Sequence, residues 1–222
     1  IWYKMSGIYP FIGGTAYQHK FNLKDPQDSD NSFRLGFSGA GTVHTTSGVD
    51  FAGSDDYANV FFNPSGDLTG YPVHLSFLSL ADSSADSVDI GCAPFSLGNP
   101  RLLISAEYNS PNSALFDSYD FTTGRVSISA PNSKAFYAAS RINTTSGFMM
   151  LFNASTTPTK SSRTTADISG LAKPNFPATV ILLDNLSETK SLMLFKLITA
   201  TLKNPIDKDG NIILISKFFA YK

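Results

Sequence analysis

The chain reads as all-β: a two-sheet antiparallel β-sandwich of jelly-roll type. Three observations point there. The composition is strand-like, with 18 Phe and 9 Tyr against two glutamates, Glu107 and Glu188. Strands favour aromatic and β-branched residues, whereas helices draw on Glu, Lys, Ala and Leu. Short apolar segments, several alternating with period two, recur at the close spacing of a sandwich. Between them stand turn formers such as Asn63-Pro64-Ser65-Gly66-Asp67, Gly98-Asn99-Pro100 and Thr123-Gly124, where Gly and Asn tolerate positive φ and Pro pre-sets its own. At 222 residues with 42% hydrophobic content, one domain over 1–222 is expected, since sandwiches of this length commonly form one unit.

The first stretch organises the rest. It opens with Trp2, Tyr3, Ile8, Tyr9, Phe11 and Ile12, bends at Gly13-Gly14, runs through Lys20-Phe21-Asn22-Leu23-Lys24 and stops at Asp25-Pro26. A strand is predicted over 32–37, with Phe33, Leu35 and Phe37 on one face. Trp2, Phe11, Phe21, Phe33, Leu35 and Phe37 are expected in the core. Further strands are expected at 57–62, 72–80, 87–90, 101–108, 125–129, 135–141, 148–152, 178–183 and 212–219. Residues 153–163 read as a long exposed loop or ragged edge strand. From 187 to 203 the spacing of Leu194, Leu197, Ile198 and Leu202 predicts a C-terminal helix, capped by Ser187 and stopped by Asn204-Pro205. The same letters also fit a strand with Leu192, Leu194, Ile198 and Leu202 on one side. Asp207-Lys208-Asp209-Gly210 would turn the chain into the last strand, whose two apolar faces suit the inside of a sheet.

Ile1-Trp2-Tyr3-Lys4-Met5, Ile8-Tyr9-Pro10-Phe11-Ile12-Gly13-Gly14-Thr15, His19 to Pro26, Phe33-Arg34-Leu35 and Ala135-Phe136-Tyr137-Ala138-Ala139-Ser140-Arg141 resemble a module of virion proteins from phages infecting Bacteroidetes. That module is similar to concanavalin A-like and laminin-G-like lectin sandwiches. The resemblance covers residues 1 to 178, and the last forty-odd residues depart from the pattern. It implies a virion appendage, at the virion surface outside the cell, attaching to a receptor or glycan of a bacterial surface and contacting other virion subunits. It supplies no binding triad.

Charge and composition exclude several classes. A formal net charge of −1 lacks the basic face that neutralises phosphates, so nucleic acid is not an expected partner. No apolar run approaches the roughly 18 residues of a membrane span. The start at Ile1 and the absence of a signal peptide lead us to expect a fragment of a longer chain. The single cysteine, Cys92, sits among small apolar residues and is expected to be a buried thiol rather than half of a disulfide.

Catalysis is not expected. Glycoside hydrolysis needs two carboxylates about 5–9.5 Å apart, but Glu107 and Glu188 are isolated. Asp117 and Asp120, the nearest acidic pair on a strand, are offset by three and so face opposite ways. His19, His44 and His74 match no compact ligand spacing. Calcium is the one cofactor considered, since a hard cation suits the oxygen-rich loop of Asp25, Asp28 and Asp30. Sugar recognition needs an aromatic face and planar polar groups. Tyr57 after Asp55 and Asp56, Tyr71, and Tyr108 with Asn109 offer that mixture. A non-catalytic attachment module is therefore the expectation; a structural spacer or decoration domain, and a polysaccharide-degrading enzyme, are the alternatives.

Overall fold

A computed structural model describes residues 5–51, 55–82, 88–94, 98–108, 113–152, 159–164, 167–175 and 179–180, with strands 159–164 and 179–180 traced by backbone pairing. The chain is built of antiparallel sheets. The large sheet has the order β1 (Gly36–Ser38), β4 (Tyr57–Asn59), β13 (Thr179–Val180), β6 (Ile90–Cys92), β7 (Arg101–Ser105), β8 (Ser113–Tyr119), β9 (Arg125–Ser129). A four-stranded sheet has the order β12 (Thr159–Thr164), β11 (Ser146–Phe152), β10 (Phe136–Arg141), β5 (Val73–Leu78). A separate hairpin pairs β2 (Thr42–Thr45) with β3 (Gly48–Phe51). Among the described residues helix is confined to single turns, such as α1 (Ala16–His19) and α2 (Pro64–Asp67).

The two larger sheets share one core. β5 lies against β6 and β7, and β9 lies against β11 and β12. The large sheet sends in Ala58, Leu102, Ile104, Phe116, Val126 and Ile128, and the smaller one Phe77, Tyr137, Ala139, Met149 and Leu151. Phe77 and Tyr137, direct cross-strand partners, stack with ring centroids 5.1 Å apart. Cys92 is buried, and burial pushes its thiol up to about 12.

The N-terminal stretch is fastened by polar groups as much as by apolar ones. Asn22 is buried and uses its whole amide. Its Oδ1 accepts from the backbone N–H of Ile8 and Lys24, and its Nδ2 donates to the carbonyls of Ser6 and Ser32. Four bonds from one side chain satisfy a group that would otherwise be costly to bury. Leu35 N–H to Lys20 O (2.7 Å) and Leu23 N–H to Ile8 O (2.8 Å) complete the clasp.

The expected strand over 32–37 is corrected. Asp30–Ser32 is a 3-10 turn, Phe33 is left-handed at φ 54, and pairing begins only at Gly36. Ser29 caps that turn through Asn31 N–H, so local side-chain bonding outcompetes the ladder. Phe11 and Leu35 are buried, Phe33 and Phe37 pack half-buried on the core, and Phe21 is half-buried. The strand expected over 57–62 stops at Asn59, whose Oδ1 takes the N–H of Phe61 where the chain turns left-handed at φ 60. The β2–β3 hairpin was not anticipated. Residues 159–164 form an edge strand, one of the two readings of that stretch. Trp2, the 187–203 segment, the 207–210 turn and the 212–219 strand lie outside the described residues. Thr179–Val180 pairs with β4 on one side and β6 on the other, so the centre of the large sheet is supplied late in the chain. Among the described residues no helix is long and apolar enough to cross a membrane.

Candidate functional site

Strand parity builds the site. On β7, β8 and β9 the core face carries Leu102, Ile104, Phe116 and Val126. Their alternates, Arg101, Asp117 and Arg125, therefore project from the outer face. Asp117 sits directly opposite Arg125 across one ladder and opposite Leu103 across the other, with Arg101 two residues from Leu103. Two guanidiniums converge on one carboxylate. Arg125 donates from Nε and Nη2 at 2.7 and 2.8 Å, and Arg101 Nη2 lies 2.5 Å from Asp117 Oδ2. Asp117 has no exposed side-chain surface, Arg101 keeps 3%, and Arg125 keeps 26%. The bidentate bond from Asp117 is the main reason that the pKa of Arg125 is raised.

Aromatic rings frame this cluster. The Arg101 guanidinium carbon lies 4.9 Å from the Phe121 ring centroid and 5.9 Å from that of Tyr108, and Arg125 lies 5.2 Å from Tyr108. Phe121 is 39% exposed and Tyr108 half-buried.

The loop that displays Phe121 is tightly held. Tyr119 leaves β8 left-handed at φ 69. Asp120 Oδ1 then accepts from Thr122 N–H, Thr122 Oγ1 and Thr123 N–H. Burial alone would raise the Asp120 carboxyl, but these bonds outweigh it and hold the group at about 2. Asn99 Oδ1 takes the Phe121 N–H at 3.2 Å. At Gly124 any Cβ would lie 2.0 Å from Ser118 O, so only glycine closes the turn.

On the inner face, Ser118 anchors the same loop to the opposite sheet. Its hydroxyl donates to Gly124 O (2.8 Å) and accepts from Arg141 Nε (2.9 Å) and Nη2, while Arg141 Nη2 also donates to Gly124 O (3.0 Å).

The other expected site residues do not join this face. Tyr57 is exposed on β4, three strand positions from β7 and so about 14 Å away at ordinary strand spacing. Asp55 is exposed beside it, while buried Asp56 accepts from Gly41 N–H at 3.1 Å. Tyr71 spends its hydroxyl on the carbonyls of Ser169 and Leu171 and packs edge-on against Tyr119; it is a tie within the fold. Asn109 lies outside the described residues.

The calcium loop carries its own counter-ions and donors. Asp28 pairs with Lys20 at 2.5 Å, Asp30 with Arg34 at 2.7 Å, and Asp25 accepts from Ser32 Oγ at 2.7 Å. Among the described residues no group of three or more His, Cys, Asp or Glu could hold a metal ion. His19 and His44 do meet, Nδ1 to Nδ1 at 3.1 Å, and burial holds His19 at about 4 with the His44 charge adding to it.

Arg101, Phe121 and Arg125 were missed by sequence reasoning. A signal existed, because Asp117 and Arg125 straddle Thr123-Gly124 and a hairpin there sets them face to face. No family model, curated protein or solved structure matches the chain, so the site rests on its own chemistry. An arginine-backed aromatic face is suited to stacking and hydrogen bonding.

Proposed function

We propose that this chain is a non-catalytic virion surface module that attaches to a glycan or receptor at a bacterial surface, through the face formed by Tyr108, Phe121 and Arg125. The observation that carries the reading is Phe121, a large aromatic ring held in the open by a loop fixed at Asp120, Asn99 and Gly124. An exposed apolar ring costs solubility, and a rigid loop removes the entropy cost of ordering it on binding. Aromatic faces stack on the C–H surface of sugars, and guanidiniums donate to their oxygens.

The virion setting comes from the resemblance, and its residues have structural roles here. Asn22 closes the N-terminal clasp, Ser140 Oγ lies 2.7 Å from His74 Nδ1, and Arg141 joins the two sheets. The test is binding of the protein to an array of bacterial surface polysaccharides and to whole cells, with reducing-sugar release followed in parallel. Saturable binding without release is expected. Turnover would replace this reading with the hydrolase alternative, and absence of any binding would favour a spacer.

A further inference from the structure

We propose that the contact between His19 and His44 is an acid-sensitive latch, which holds the β2–β3 hairpin on the N-terminal stretch at neutral pH and releases it in acid while the rest of the sandwich stays folded. This inference is independent of the glycan reading. The hairpin is a two-stranded sheet of its own, outside both larger sheets, and a lone hairpin is only marginally stable in water. It closes through what it packs against. Val49 and Phe51 of β3 are buried in the core. His44 stands directly opposite Val49 and so shares its face. There it meets His19 of α1, Nδ1 to Nδ1 at 3.1 Å, with Phe37 edge-on against His44 and Phe11 edge-on against His19.

One proton between the rings joins them, and a second drives them apart. With both rings neutral, one Nδ1–H donates to the lone pair of the other Nδ1. A further proton on the accepting nitrogen sets N–H against N–H. His19 is 1% exposed, so water screens little of the charge that arrives. Burial and the His44 charge hold His19 at about 4, against the Gly13 backbone, which favours the proton, and burial also lowers His44. The neighbouring charged groups are engaged or turned away. Lys20, next to His19, pairs with Asp28 at 2.5 Å. Asp50 stands opposite Val43 and so on the other face of the hairpin. Asp56 accepts from Gly41 N–H at 3.1 Å. Among the described residues no group of three or more His, Cys, Asp or Glu forms around the pair. Once the hairpin opens, both rings return toward the ordinary value near 6.5, so opening takes up protons. Closure is therefore at full strength above about pH 6.5 and weakens as pH falls toward about 4.

The experiment is native hydrogen exchange of the full chain from about pH 7.5 to about pH 5, expressed as protection factors. It compares the amides of β2–β3 with those of β7–β8, in the wild type and in His44→Gln. Below about pH 6.5 the hairpin should lose protection about tenfold per pH unit for each ring that takes up a proton on opening. That loss is expected while β7–β8 is still protected. In His44→Gln, which leaves one titrating ring and an amide able to accept from the other, the hairpin should lose less. A hairpin that keeps its protection, or loses it only together with β7–β8, overturns the latch. An acid loss equally large in His44→Gln overturns it too. Should His44→Gln fail to fold, the imidazole resonances of the wild type decide: both rings should resist protonation for as long as the hairpin is closed, and free titration near pH 6.5 with the hairpin still protected contradicts the proposal.

Discussion

Asp117 and Ser118 are neighbours on β8, and each holds an arginine, but strand alternation sends them to opposite sides of the sheet. Ser118 faces inward, where Arg141 is buried and lies against a hydroxyl and the carbonyl of Gly124. Burial lowers the pKa of Arg141, whereas Asp117 raises that of Arg125. The inner arginine crosses between the sheets and fixes the turn. The outer one is fixed by its own strand partner and still reaches water. One residue type thus ties the two sheets together on one face and reaches water on the other, and parity along a single strand decides which.

The strongest way to break that contrast is at the carboxylate. Asp117→Asn leaves two guanidiniums around a neutral amide and should cost about 3–5 kcal/mol, the usual scale for breaking a buried ion pair from one side. Urea denaturation measures it. A loss below about 1 kcal/mol, the scale of a surface pair, would mean that water already carries the charge and the outer face is not pre-organised.

The scaffold side also titrates. Burial holds His74 at about 4, and burial with His44 does the same for His19. Both folded values lie below the ordinary 6.5, so the unfolded chain binds more protons between pH 6.5 and 4 and stability falls as pH drops through that window. Each histidine contributes about 3 kcal/mol over the full interval. Asp89 opposes them: burial raises it to about 7, so it adds stability as pH falls from 7 toward 3.8. Two histidines against one aspartate predict a net acid loss, read from melting temperature against pH. In His74→Gln the loss should vanish or reverse. An unchanged profile in that variant would remove His74 from the balance.

Ser118→Ala sharpens the inner half. Removing the hydroxyl that accepts from Arg141 should cost about 1.5–3 kcal/mol, the range for a hydrogen bond to a charged group. Ligand affinity should fall less than in Phe121→Ala, because the loop keeps the Asp120 and Asn99 bonds to Thr122, Thr123 and Phe121. A large drop in affinity with little loss of stability would mean that the inner arginine belongs to the site.

How much of this was readable beforehand depended on whether periodicity or local bonding governed each segment. Residues 125–129 alternate strictly and become β9 with Val126 and Ile128 inside. Phe33 shows the opposite. Its pattern suggests a strand, yet Ser29 and Asp30 bond locally and turn the chain left-handed. Asn22 carries no periodic signal at all, because its role depends on backbone groups at positions 6, 8, 24 and 32. His19 and His44 stand 25 residues apart and meet only when the hairpin folds onto the N-terminal stretch. The tyrosines stand out in the sequence by residue type and polar neighbours, and only topology separates Tyr108, beside the arginines, from Tyr57 on a distant strand and Tyr71 tied to residues 169–171.

The most direct measurement is Phe121→Ala, with melting and polysaccharide binding determined on the same preparation. Phe121 is exposed and its loop is held by backbone and polar bonds. Stability should fall by about 1 kcal/mol, the scale of the cation–π contact with Arg101 that is lost, while affinity falls about tenfold or more, as for an aromatic anchor of a binding face. Unaltered affinity in a normally folded Phe121→Ala protein would contradict the binding role proposed for the loop that follows β8.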